Sequence, residues 1–570
     1  MADESKSKTV TCDVLVVGSG AAGLTAAVTA RKAGLEVLLV EKDENFGGTS
    51  AISGGQVWIP GNHHAIQAGE ADDRPAMLAY LKRETGNYFD QERVELFLDT
   101  APEMLKFIET ETRARFGASK YPDYHPAYEG FSLVRSVASL EAQPEELDRE
   151  LLRHLKPILP QTVYGGIAVG SSVEIKQLMT AGRSVGGVKL IAKKIFRHWM
   201  QVLKYGRGEP VVRGRALVGR LAQTLLDLGV PLWHSAPAKK LLVNDTRVVG
   251  AEIGRPDGST VTVLARRAVV LAAGGFTKDT ARREKYFSHI AAGKSHAAPT
   301  HEGNTGDGIR LGEEVGAVFS MEVTNPGAWV PVSVIPGRTG NEAVFPHLID
   351  RQKPGFICVT RNGKRFTNEA GPYHDFVQAL VRANEGEADS YCWLIAEKPA
   401  MRRWGMGYVK PAPIPYGEHI RSGYLKTAAT LADLATICGI DQSGFAKTIG
   451  AFNENAKKGV DPDFGRGSDQ YDFYQGDDAH KPNSCLGPLE RGPFFAVKVI
   501  PGDLGTFAGL ATDKFSRVLN TSGDVIPGLY AVGNDQRSAF AGTYPGPGST
   551  IGPGMTFAFI AARHIAAQGA

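Results

Sequence analysis

The hydrophobic pattern of this chain changes its period near the N-terminal end. The run DVLVV at residues 13–17 has the apolar, β-branched composition of a buried strand. A helix-like stretch, LTAAVTARKAG, follows it, and a second apolar run, EVLLV, ends just before Glu41. The order strand, helix, strand predicts a βαβ unit and therefore a parallel sheet at the start of the fold.

The pattern is different in the middle of the chain, at residues 321–499. PGFICVT is typical of a strand, whereas TAATLADLATICG and GFAKTIGAFNENAKKG have apolar residues at helical spacing. Strands and helices do not alternate regularly here, so this segment is predicted to be α+β. A chain of 570 residues is also too long for one core, and two or three domains are expected.

Composition narrows the possible partners. Glycine accounts for 67 of 570 residues, well above the usual ~7%, and it is concentrated in short motifs, which indicates tight turns close to a ligand. A net charge of +3 gives no support for nucleic-acid binding. The 5 cysteines lack CxxC spacing and no Cys/His cluster has metal-ligand spacing, so we expect reduced thiols and no metal. Neither a signal peptide nor a long apolar run is visible, so a cytoplasmic location is expected.

The loop after the first strand, GSGAAG, has the GxGxxG pattern of a dinucleotide site. Gly18 permits the tight turn, Gly20 lets the backbone approach a pyrophosphate, and Gly23 lets the helix pack closely on the strand. Glu41, at the end of the second strand, is placed to accept hydrogen bonds from ribose hydroxyls. Strand, loop, helix, second strand and acidic residue together predict a dinucleotide cofactor.

The segment after Glu41 favours FAD over NAD. A second loop rich in glycine and hydroxyl groups, GGTSAISGG, starts at Gly47 and suits a long cofactor that lies across the domain. Further motifs, LAAGGF, NTGDG and AVGN, recur far downstream, and no second GxGxxG follows a strand. The residues predicted to contact FAD are Gly18, Ser19, Gly20, Ala21, Ala22, Gly23, Glu41, Lys42, Gly47, Gly48, Thr49, Ser50, Ser53, Gly54, Gly55, Pro237, Ala273, Gly274, Gly275, Asn304, Asp307, Gly533, Asn534, Ser549 and Ile551.

These motifs resemble the fumarate reductase/succinate dehydrogenase flavoprotein superfamily over nearly the whole chain. The resemblance implies an α/β fold: a Rossmann-like, discontinuous FAD-binding domain with an inserted α+β catalytic domain. The FAD-binding domain is expected at 1–320 and 500–570, and the catalytic domain at 321–499. Succinate dehydrogenase flavoproteins attach FAD to a histidine near the second glycine loop. Residues 41–61 contain no histidine, so FAD is expected to be bound non-covalently.

The segment RNGKRFTNEAGPYHDF distinguishes branches of this superfamily. Members that act on fumarate have an arginine four residues after the glutamate of this motif, where it binds a dicarboxylate and donates a proton. This chain has Tyr373 four residues after Glu369. A tyrosine is neutral, with a pKa near ~10, and it cannot clamp a carboxylate as an arginine does. A fumarate-reductase-like activity is therefore disfavoured. In an extended segment His374 would face away from Tyr373, so it is expected to be a structural histidine rather than the base.

Three motifs together resemble the 3-ketosteroid Δ1-dehydrogenases. YPDY at 121–124 matches that family's segment around Tyr124, and TYPGPG at 543–548 matches its segment with Tyr544 and Gly548. Tyr373 matches the third position. LVRSV at 133–137 resembles a further family motif, GRSI, but lacks the glycine before the arginine, so the shape of that loop is not predicted.

The resemblance implies oxidation of the C1–C2 bond of a 3-ketosteroid. Tyr544 and the Gly548 N–H would bind the carbonyl oxygen, and Tyr373 would take the C2 proton with the help of Tyr124. The C1 hydrogen would leave as hydride to flavin N5, and the helix that starts near Ile551 would face the flavin N1–C2=O edge. A Δ4-dehydrogenase and a non-catalytic FAD-binding protein at a membrane surface remain alternatives. The electron acceptor, a quinone or another compound, and the oligomeric state are not predicted.

Residues 151–212 look like an insertion relative to shorter family members. Within it, 186–205 predicts a basic amphipathic helix. Its apolar positions are Val188, Ile191, Ala192, Ile195, Phe196, Trp199, Val202 and Leu203, and the opposite face carries Lys189, Lys193, Lys194, Arg197, His198, Gln201 and Lys204. Such a helix suits a peripheral membrane contact, and equally a helix packed on the core or on a partner subunit with its lysines in water. Membrane contact would favour substrates with long side chains, such as cholest-4-en-3-one.

Overall fold

The computed structural model of the chain describes residues 9–70, 72–163, 168, 170, 174, 185–206 and 208–568. The strands in these ranges are β1 (Thr9–Val17), β2 (Val37–Val40), β3 (Gln56–Trp58), β4 (Phe116–Ala118), β5 (Ser136–Ser139), β6 (Leu232–Trp233), β7 (Ala238–Asn244), β8 (Arg247–Gly254), β9 (Thr260–Leu271), β10 (Phe319–Ser320), β11 (Gly327–Val334), β12 (Val344–Pro346), β13 (Phe356–Val359), β14 (Cys392–Glu397), β15 (Lys426–Ala428), β16 (Phe494–Thr506), β17 (Gly509–Leu510), β18 (Arg517–Leu519) and β19 (Val525–Ala531).

The helices of the same ranges are α1 (Ala21–Lys32), α2 (Gly48–Ile52), α3 (His63–Gln67), α4 (Arg74–Thr85), α5 (Gln91–Glu111), α6 (Arg149–Arg153), α7 (Val185–Tyr205), α8 (Arg213–Asp227), α9 (Thr280–Tyr286), α10 (Ser288–Ala291), α11 (Asp307–Glu314), α12 (Tyr373–Ala383), α13 (Lys398–Trp404), α14 (Gly417–Arg421), α15 (Leu431–Cys438), α16 (Gln442–Lys458), α17 (Gln470–Gln475) and α18 (Ile551–Ala567). None of them is both long and apolar enough to cross a bilayer.

The main sheet has the strand order β18-β19-β9-β1-β2-β6, with β7 and β8 extending it from β9. The predicted βαβ unit is confirmed, because β1 pairs in parallel with β2 and α1 connects them. Strand β9 also pairs in parallel with β1, and β19 with β9, so segments distant in sequence complete one sheet. Helix α1 packs against α8 and α18, and the alanines of its buried face let these helices approach closely.

A second, antiparallel sheet has the order β12-β11-β16-β14-β13, with β15 also paired to β16. Helix α12 packs on β11, and α15 and α16 cover the far side, so this part is α+β as expected. Strand β16 extends from Phe494 to Thr506 and so passes across residue 500, where the sequence placed the return to the cofactor domain. The exact domain limits stay a prediction.

Part of the predicted insertion, at residues 164–167, 169, 171–173, 175–184 and 207, lies outside the described residues. Helix α7 is described, and its orientation is unusual. Its apolar side is exposed, with Phe196 at 69%, Trp199 at 62% and Leu203 at 79%. On its basic side the buried Lys194 pairs with Glu174 at 2.9 Å, whereas Lys189 and Lys193 are exposed. Within the described residues the apolar face of α7 therefore does not pack on the core, and its contact with a membrane or with a partner subunit stays a prediction.

Candidate active site

A cavity of about 450 Å³ extends from the N-terminus of α1 to the space between the two sheets. Most of the residues predicted to contact the cofactor line it: Gly18, Ser19, Gly20, Ala21, Ala22, Glu41, Lys42, Gly48, Thr49, Ser50, Ser53, Gly54, Gly55, Pro237, Ala273, Gly274, Asn304, Asp307, Gly533, Asn534 and Ile551. Gly23, Gly47, Gly275 and Ser549 do not line it. Segments from both ends of the chain and from its middle therefore meet at one site.

The first glycine loop has the geometry that its motif predicts. Gly18 has φ +110°, and a Cβ there would lie 2.2 Å from the carbonyl oxygen of Ala272. A Cβ at Gly23 would lie 2.0 Å from the carbonyl oxygen of Gly18, so this glycine serves helix packing. The nearest atom to a Cβ at Gly20 is the Ser50 hydroxyl oxygen, 3.5 Å away, so this backbone faces open space into which a phosphate can approach.

Glu41 lies at the end of β2 with its carboxylate buried. Its Oε2 accepts hydrogen bonds from the Ser19 amide at 3.0 Å and the Ser19 hydroxyl at 2.6 Å. Its Oε1 accepts from the Asp43 amide at 2.9 Å. The side chain is thus fixed at the carboxyl end of the strand, the position from which an acidic residue binds a ribose.

Gly47, Ser549 and Gly275 do not line the cavity, but their hydrogen bonds fix the loops that line it. The Gly47 amide donates to the Ser19 hydroxyl at 2.9 Å. The Ser549 hydroxyl accepts from the Gly546 amide at 3.0 Å and closes the turn in front of α18. The Gly275 amide donates to an aspartate that the sequence did not reveal as part of the site.

That aspartate is Asp535, directly after the Gly533–Asn534 pair. Its carboxylate accepts from the Ala273 amide at 2.5 Å and the Gly275 amide at 3.0 Å. Burial raises its pKa to about 6, and the two amides oppose that shift. Asp535 thus joins the loop after β9 to the loop after β19. Its position directly after a glycine-rich motif is the sequence feature that could have indicated this role.

Helix α18 begins at Ile551 with no side-chain cap, and Thr550, Ile551 and Gly554 line the cavity. Helix α1 starts at the same cavity after Gly20. Two helix N-termini, each with a partial positive charge, therefore face one space. Open glycine backbone, a fixed glutamate and these two termini fit an elongated, anionic dinucleotide, so the residues present fit FAD.

Three tyrosines form a triangle at the inner end of the cavity. The ring centroids of Tyr124 and Tyr373 are 5.4 Å apart, those of Tyr124 and Tyr544 5.5 Å, and those of Tyr373 and Tyr544 5.4 Å. All three line the cavity, and each comes from a different segment. The Tyr124 amide donates to the Pro545 carbonyl at 2.9 Å, so two of these segments are joined through their backbones.

Gly548 lies beside this triangle with φ +94°. A Cβ there would lie 2.6 Å from the carbonyl carbon of Gln56, so only glycine fits between the loop and β3. Within the described part of the chain its N–H has no acceptor, whereas its carbonyl accepts from Trp58 at 3.3 Å and from Gly552 at 2.9 Å. A backbone donor thus remains available at a residue that lines the cavity.

Comparisons with known proteins agree with this geometry. Residues 13–551 match the FAD binding domain family. The chain is 41% identical to the 4-oxocyclohex-2-ene-1-carboxylate 5-dehydrogenase of Sinomonas cyclohexanicum, over 98% of this chain and 95% of that one. It is 35% identical to the 3-oxosteroid 1-dehydrogenase of Mycolicibacterium smegmatis, over 98% of each.

One solved structure is also very similar. The 3-ketosteroid Δ1-dehydrogenase of Sterolibacterium denitrificans, in complex with 1,4-androstadiene-3,17-dione, has a TM-score of 0.89 and 34% identity, over 98% of this chain and 99% of that one. The chain belongs to the 3-ketosteroid Δ1-dehydrogenase family. It is accordingly an FAD-dependent oxidoreductase. The family predicted from the three tyrosine-containing motifs is confirmed.

This family member fixes Tyr124 through buried charges on the preceding residue. The Asp123 carboxylate accepts from the Trp58 indole at 2.8 Å and from Arg135 at 2.8 Å. Arg135 also pairs with Asp72 at 2.7 Å and is fully buried. Arg135 is the arginine of LVRSV, the motif that lacks the family's glycine. Its guanidinium nevertheless contacts Asp123 in the segment that carries Tyr124.

Burial raises the pKa values of the three tyrosines. For Tyr373 the pKa is raised by burial and by Tyr544, and a hydrogen bond with Tyr124 lowers it. For Tyr544 burial raises the pKa, and hydrogen bonds with Tyr373 and Thr550 lower it. For Tyr124 burial raises the pKa, and the neighbouring Tyr373 contributes in the same direction. All three hydroxyls are therefore neutral near pH 7, and each can donate a hydrogen bond.

The expectation that Tyr373 and His374 lie in an extended segment is wrong. Pro372 precedes α12, and Tyr373 is its first residue. His374 Nδ1 accepts from the Trp329 amide at 3.1 Å. Burial lowers the pKa of His374 to about 4, so the ring is neutral and holds α12 against β11. This agrees with a structural histidine, although for a different geometric reason.

Sequence reasoning missed several cavity residues. Tyr121, the first residue of YPDY, lines the cavity and packs against Tyr471, which in turn contacts Tyr124. Arg213 and Lys410 line it as well, without any motif to mark them. The apolar part of the wall is formed by Leu159, Phe345, Pro346, Leu348, Ile349 and Leu504.

One group within the described ranges has the geometry of metal ligands, although none was expected from the spacing. His63 and His64 lie 2.8 Å and 3.1 Å from Glu109 Oε2. None of the three lines the cavity. These contacts tie α3 to α5.

Proposed function

We propose that the chain catalyses the FAD-dependent 1,2-dehydrogenation of 3-oxo-Δ4-steroids to 3-oxo-Δ1,4-steroids, as in the degradation of steroids and sterols. The observation that carries this proposal is the triangle of Tyr124, Tyr373 and Tyr544 beside the Gly548 N–H. It provides neutral donors for a ketone and a hydroxyl group that can accept a proton, in a cavity with an apolar wall.

The ketone is the group on which the reaction depends. The Tyr544 hydroxyl and the Gly548 N–H donate to its oxygen, and they stabilise the negative charge that develops there as the C2 proton leaves. A buried site strengthens both hydrogen bonds, because little water competes for the oxygen.

The ionised form of Tyr373 is proposed to take the C2 proton and so become a neutral hydroxyl, and the electron pair of that C–H bond becomes the new C1–C2 double bond. Tyr124 donates to Tyr373 and so lowers the pKa of the group that must act as base. FAD, when bound, accepts the hydride from C1. The residues of the chain orient the ring, exclude water and accept the proton.

The same chemistry applies to a smaller ring. The name of the Sinomonas cyclohexanicum relative specifies 4-oxocyclohex-2-ene-1-carboxylate, here called the monocyclic keto acid. It contains the same cyclohexenone as ring A of a 3-oxo-Δ4-steroid, and its position 5, like steroid C2, is adjacent to the ketone. The three tyrosines would therefore act identically on this ring and on steroids such as androst-4-ene-3,17-dione or cholest-4-en-3-one.

The proposal is tested by product identification. Purified holoenzyme is mixed with androst-4-ene-3,17-dione, cholest-4-en-3-one or the monocyclic keto acid and a dye acceptor, and the product is analysed by mass spectrometry and NMR. We expect a loss of two hydrogens and a double bond between the carbons α and β to the ketone. Turnover of 5α-androstane-3,17-dione alone, with the new double bond at C4–C5, would indicate the Δ4-dehydrogenase instead. Bound FAD that none of these ketones bleaches anaerobically would indicate a protein without turnover.

We also propose that the exposed apolar side of α7 rests on an anionic bilayer. This surface consists of Val188, Ile195, Phe196, Trp199, Met200 and Leu203. Trp and Phe are suited to the interfacial region, and the exposed Lys189 and Lys193 supply positive charge next to it. Inward pairing of Lys194 and Arg197 with Glu141 holds the helix in this orientation.

Exchanging two aromatic residues tests the membrane contact. The variant Phe196→Ser/Trp199→Ser is expected to bind phosphatidylcholine/phosphatidylglycerol vesicles at least about tenfold more weakly, since each buried side chain contributes roughly 1.5–3 kcal/mol. Vesicle co-sedimentation measures the bound fraction. Ile437→Ser/Phe473→Ser, which replaces exposed apolar residues elsewhere, is the control. Unchanged binding, or a change only in oligomeric state by light scattering, would contradict the proposal in favour of a subunit contact.

A further inference from the structure

One histidine next to the active site connects two of the segments that carry its tyrosines. His125 directly follows Tyr124, and Asp375 lies two residues after Tyr373, in the first turn of α12. The His125 Nε2 atom lies 2.8 Å from Asp375 Oδ2. The Nδ1 atom of the same ring contacts the carboxylate of Glu84, near the end of α4. The mechanism proposed above uses none of these three ionisable side chains.

The two contacts define the charge of the imidazole ring. An ionised carboxylate can only accept hydrogen bonds, so both nitrogens of His125 must carry a hydrogen, as they do in an imidazolium. Burial opposes the charged ring, but Asp375 and Glu84 outweigh it and raise the pKa of His125 well above its usual value. Burial also acts to raise the pKa of Asp375, but the charge of His125 outweighs it, and this pKa is lowered. His125 is therefore a cation near pH 7.

The two carboxylates differ in their exposure. The Glu84 side chain is only 2% exposed, so its negative charge requires the imidazolium beside it. The His125 ring also stacks on the ring of Tyr128, with 4.9 Å between the centroids, which fixes its orientation. The Asp375 side chain is 42% exposed. Asp375 can therefore be replaced while the buried pair of His125 and Glu84 stays intact.

The backbone of His125 is connected to the third tyrosine segment. Its amide donates to the Tyr80 hydroxyl at 3.3 Å, and that hydroxyl donates to the Pro545 carbonyl at 2.8 Å. Pro545 directly follows Tyr544, so hydrogen bonds between neutral groups join these two loops. The ion pair with Asp375 connects α12 to the same loops.

We propose that His125 is a positioning residue: its imidazolium pairs with Asp375 and so fixes the start of α12, and with it Tyr373, against the loop of Tyr124. The inference rests on the proposed function, because it concerns the placement of the base for the C2 proton. The ring centroids of Tyr124 and Tyr373 are 5.4 Å apart although the two residues are distant in sequence. A displacement of about 1 Å can cost about 10²-fold in rate, so this ion pair can control the reaction without touching the substrate.

Asp375→Ala tests the proposal at the exposed end of the contact. We expect the rate of FAD reduction by androst-4-ene-3,17-dione or the monocyclic keto acid to fall by about 10–100-fold. The apparent Kd of the ketone, from the concentration dependence of the same stopped-flow rates, should stay within about threefold, since Asp375 does not line the cavity. Gln378→Ala is the matched control, because Gln378 donates to the other oxygen of Asp375 at 3.4 Å. Equal rates in Asp375→Ala and in this control would overturn the inference.

A double-mutant cycle shows whether the effect of Asp375 passes through the imidazolium. His125→Phe/Glu84→Met keeps an aromatic ring against Tyr128 and leaves no unpaired charge inside the protein. In this background Asp375→Ala should change the reduction rate by less than about twofold, because the contact that it removes is already lost. A full 10–100-fold loss in that background, the size expected for the single variant, would mean that Asp375 acts on α12 by itself and would overturn the role of His125.

Isotope effects distinguish a displaced base from a less stable protein. The reduction rate is measured with androst-4-ene-3,17-dione deuterated at C2 and, separately, at C1. In Asp375→Ala the isotope effect at C2 should increase relative to that at C1, because proton transfer to Tyr373 becomes the slower step. A loss of rate with an unchanged ratio of the two isotope effects would show that the ion pair serves only stability, and would overturn the positioning role.

Hydrogen exchange separates this inference from the proposed reaction, because it requires no turnover. In the Asp375→Ala holoenzyme we expect faster amide exchange at residues 121–128 and 373–378 than in wild type or Gln378→Ala, and unchanged exchange in β1 and α1. If exchange changes in this way while no ketone is oxidised, the connection between the two segments holds and the proposed reaction fails. If ketones are oxidised and exchange at residues 121–128 is unchanged, the reaction stands and the inference is overturned.

Discussion

A Tyr373→Phe variant is expected to lose about 10²–10⁴-fold in kcat, the range that a positioned general base contributes. The substitution removes one oxygen and keeps the ring, which contacts Tyr124 at 5.4 Å and Tyr544 at 5.4 Å. The aromatic triangle and the start of α12 should therefore stay intact. Stopped-flow reduction of the enzyme-bound FAD by androst-4-ene-3,17-dione or the monocyclic keto acid measures the step directly.

The pH dependence of the wild type should identify the same group. Burial and Tyr544 raise the pKa of Tyr373, so its ionised form is scarce at pH 7 and becomes more abundant as the pH rises. Below that pKa, the logarithm of the reduction rate is expected to rise with pH, up to a slope of one. In Tyr373→Phe this rise should disappear. A wild-type rate that falls as the pH increases from 7 to 9 would contradict the assignment.

Tyr471→Phe is the matched control for this variant. Tyr471 belongs to the same aromatic group and contacts Tyr124 at 5.4 Å, but it does not line the cavity. Its loss should change the reduction rate by less than about threefold. If Tyr373→Phe behaved like Tyr471→Phe, Tyr373 would be a packing residue and another group would have to take the proton.

Local patterns explain why the cofactor site could be predicted from the sequence. The requirement for glycine at Gly23 arises from a contact with Gly18 in the same βαβ unit, and Gly18 itself has the positive φ of the tight turn, so the spacing of a few residues reveals both. Glu41 follows from the same unit. Asp535 could be suggested only by the glycine-rich motif just before it. Its hydrogen bond with the Ala273 amide depends on the pairing of β9 with β19, which are far apart in the sequence.

The other features of the fold and the site could not be predicted from the sequence, because they depend on tertiary structure. The periodicity of α7 showed an apolar and a basic face, but the exposure of the apolar face and the pairing of Lys194 with Glu141 and Glu174 depend on tertiary structure. The extended segment expected at Tyr373 is replaced by a helix start, because α12 packs on β11 and Pro372 is compatible with the turn before it. Arg213 and Lys410 belong to no motif, and they could not be predicted because they come to line one cavity only in the folded chain.

The second large effect is expected from Tyr544→Phe, which should lower kcat/KM by about 10²–10³-fold, the typical cost of one donor to a developing oxyanion. Tyr544 lies two residues before Gly546, where the Ser549 hydroxyl closes the turn. The Tyr80 hydroxyl and the Tyr124 amide both donate to the Pro545 carbonyl, at 2.8 Å and 2.9 Å. The backbone around Tyr544 is therefore held independently of its hydroxyl. Steady-state kinetics with a dye acceptor, together with the FAD content of the purified variant, measure the effect.

Binding of a phenolic steroid separates the role of Tyr544 from that of Tyr373. The phenolate of estrone resembles the enolate of ring A, so a group that binds the carbonyl oxygen should stabilise it, whereas a base for the C2 proton should not. We expect Tyr544→Phe to weaken estrone binding by about 10–100-fold, as for a lost hydrogen bond to a charged group, and Tyr373→Phe to change it by less than about threefold. The reverse order would exchange the two roles. Equal effects would mean that the two hydroxyls act as one unit, since the rings of Tyr373 and Tyr544 lie only 5.4 Å apart.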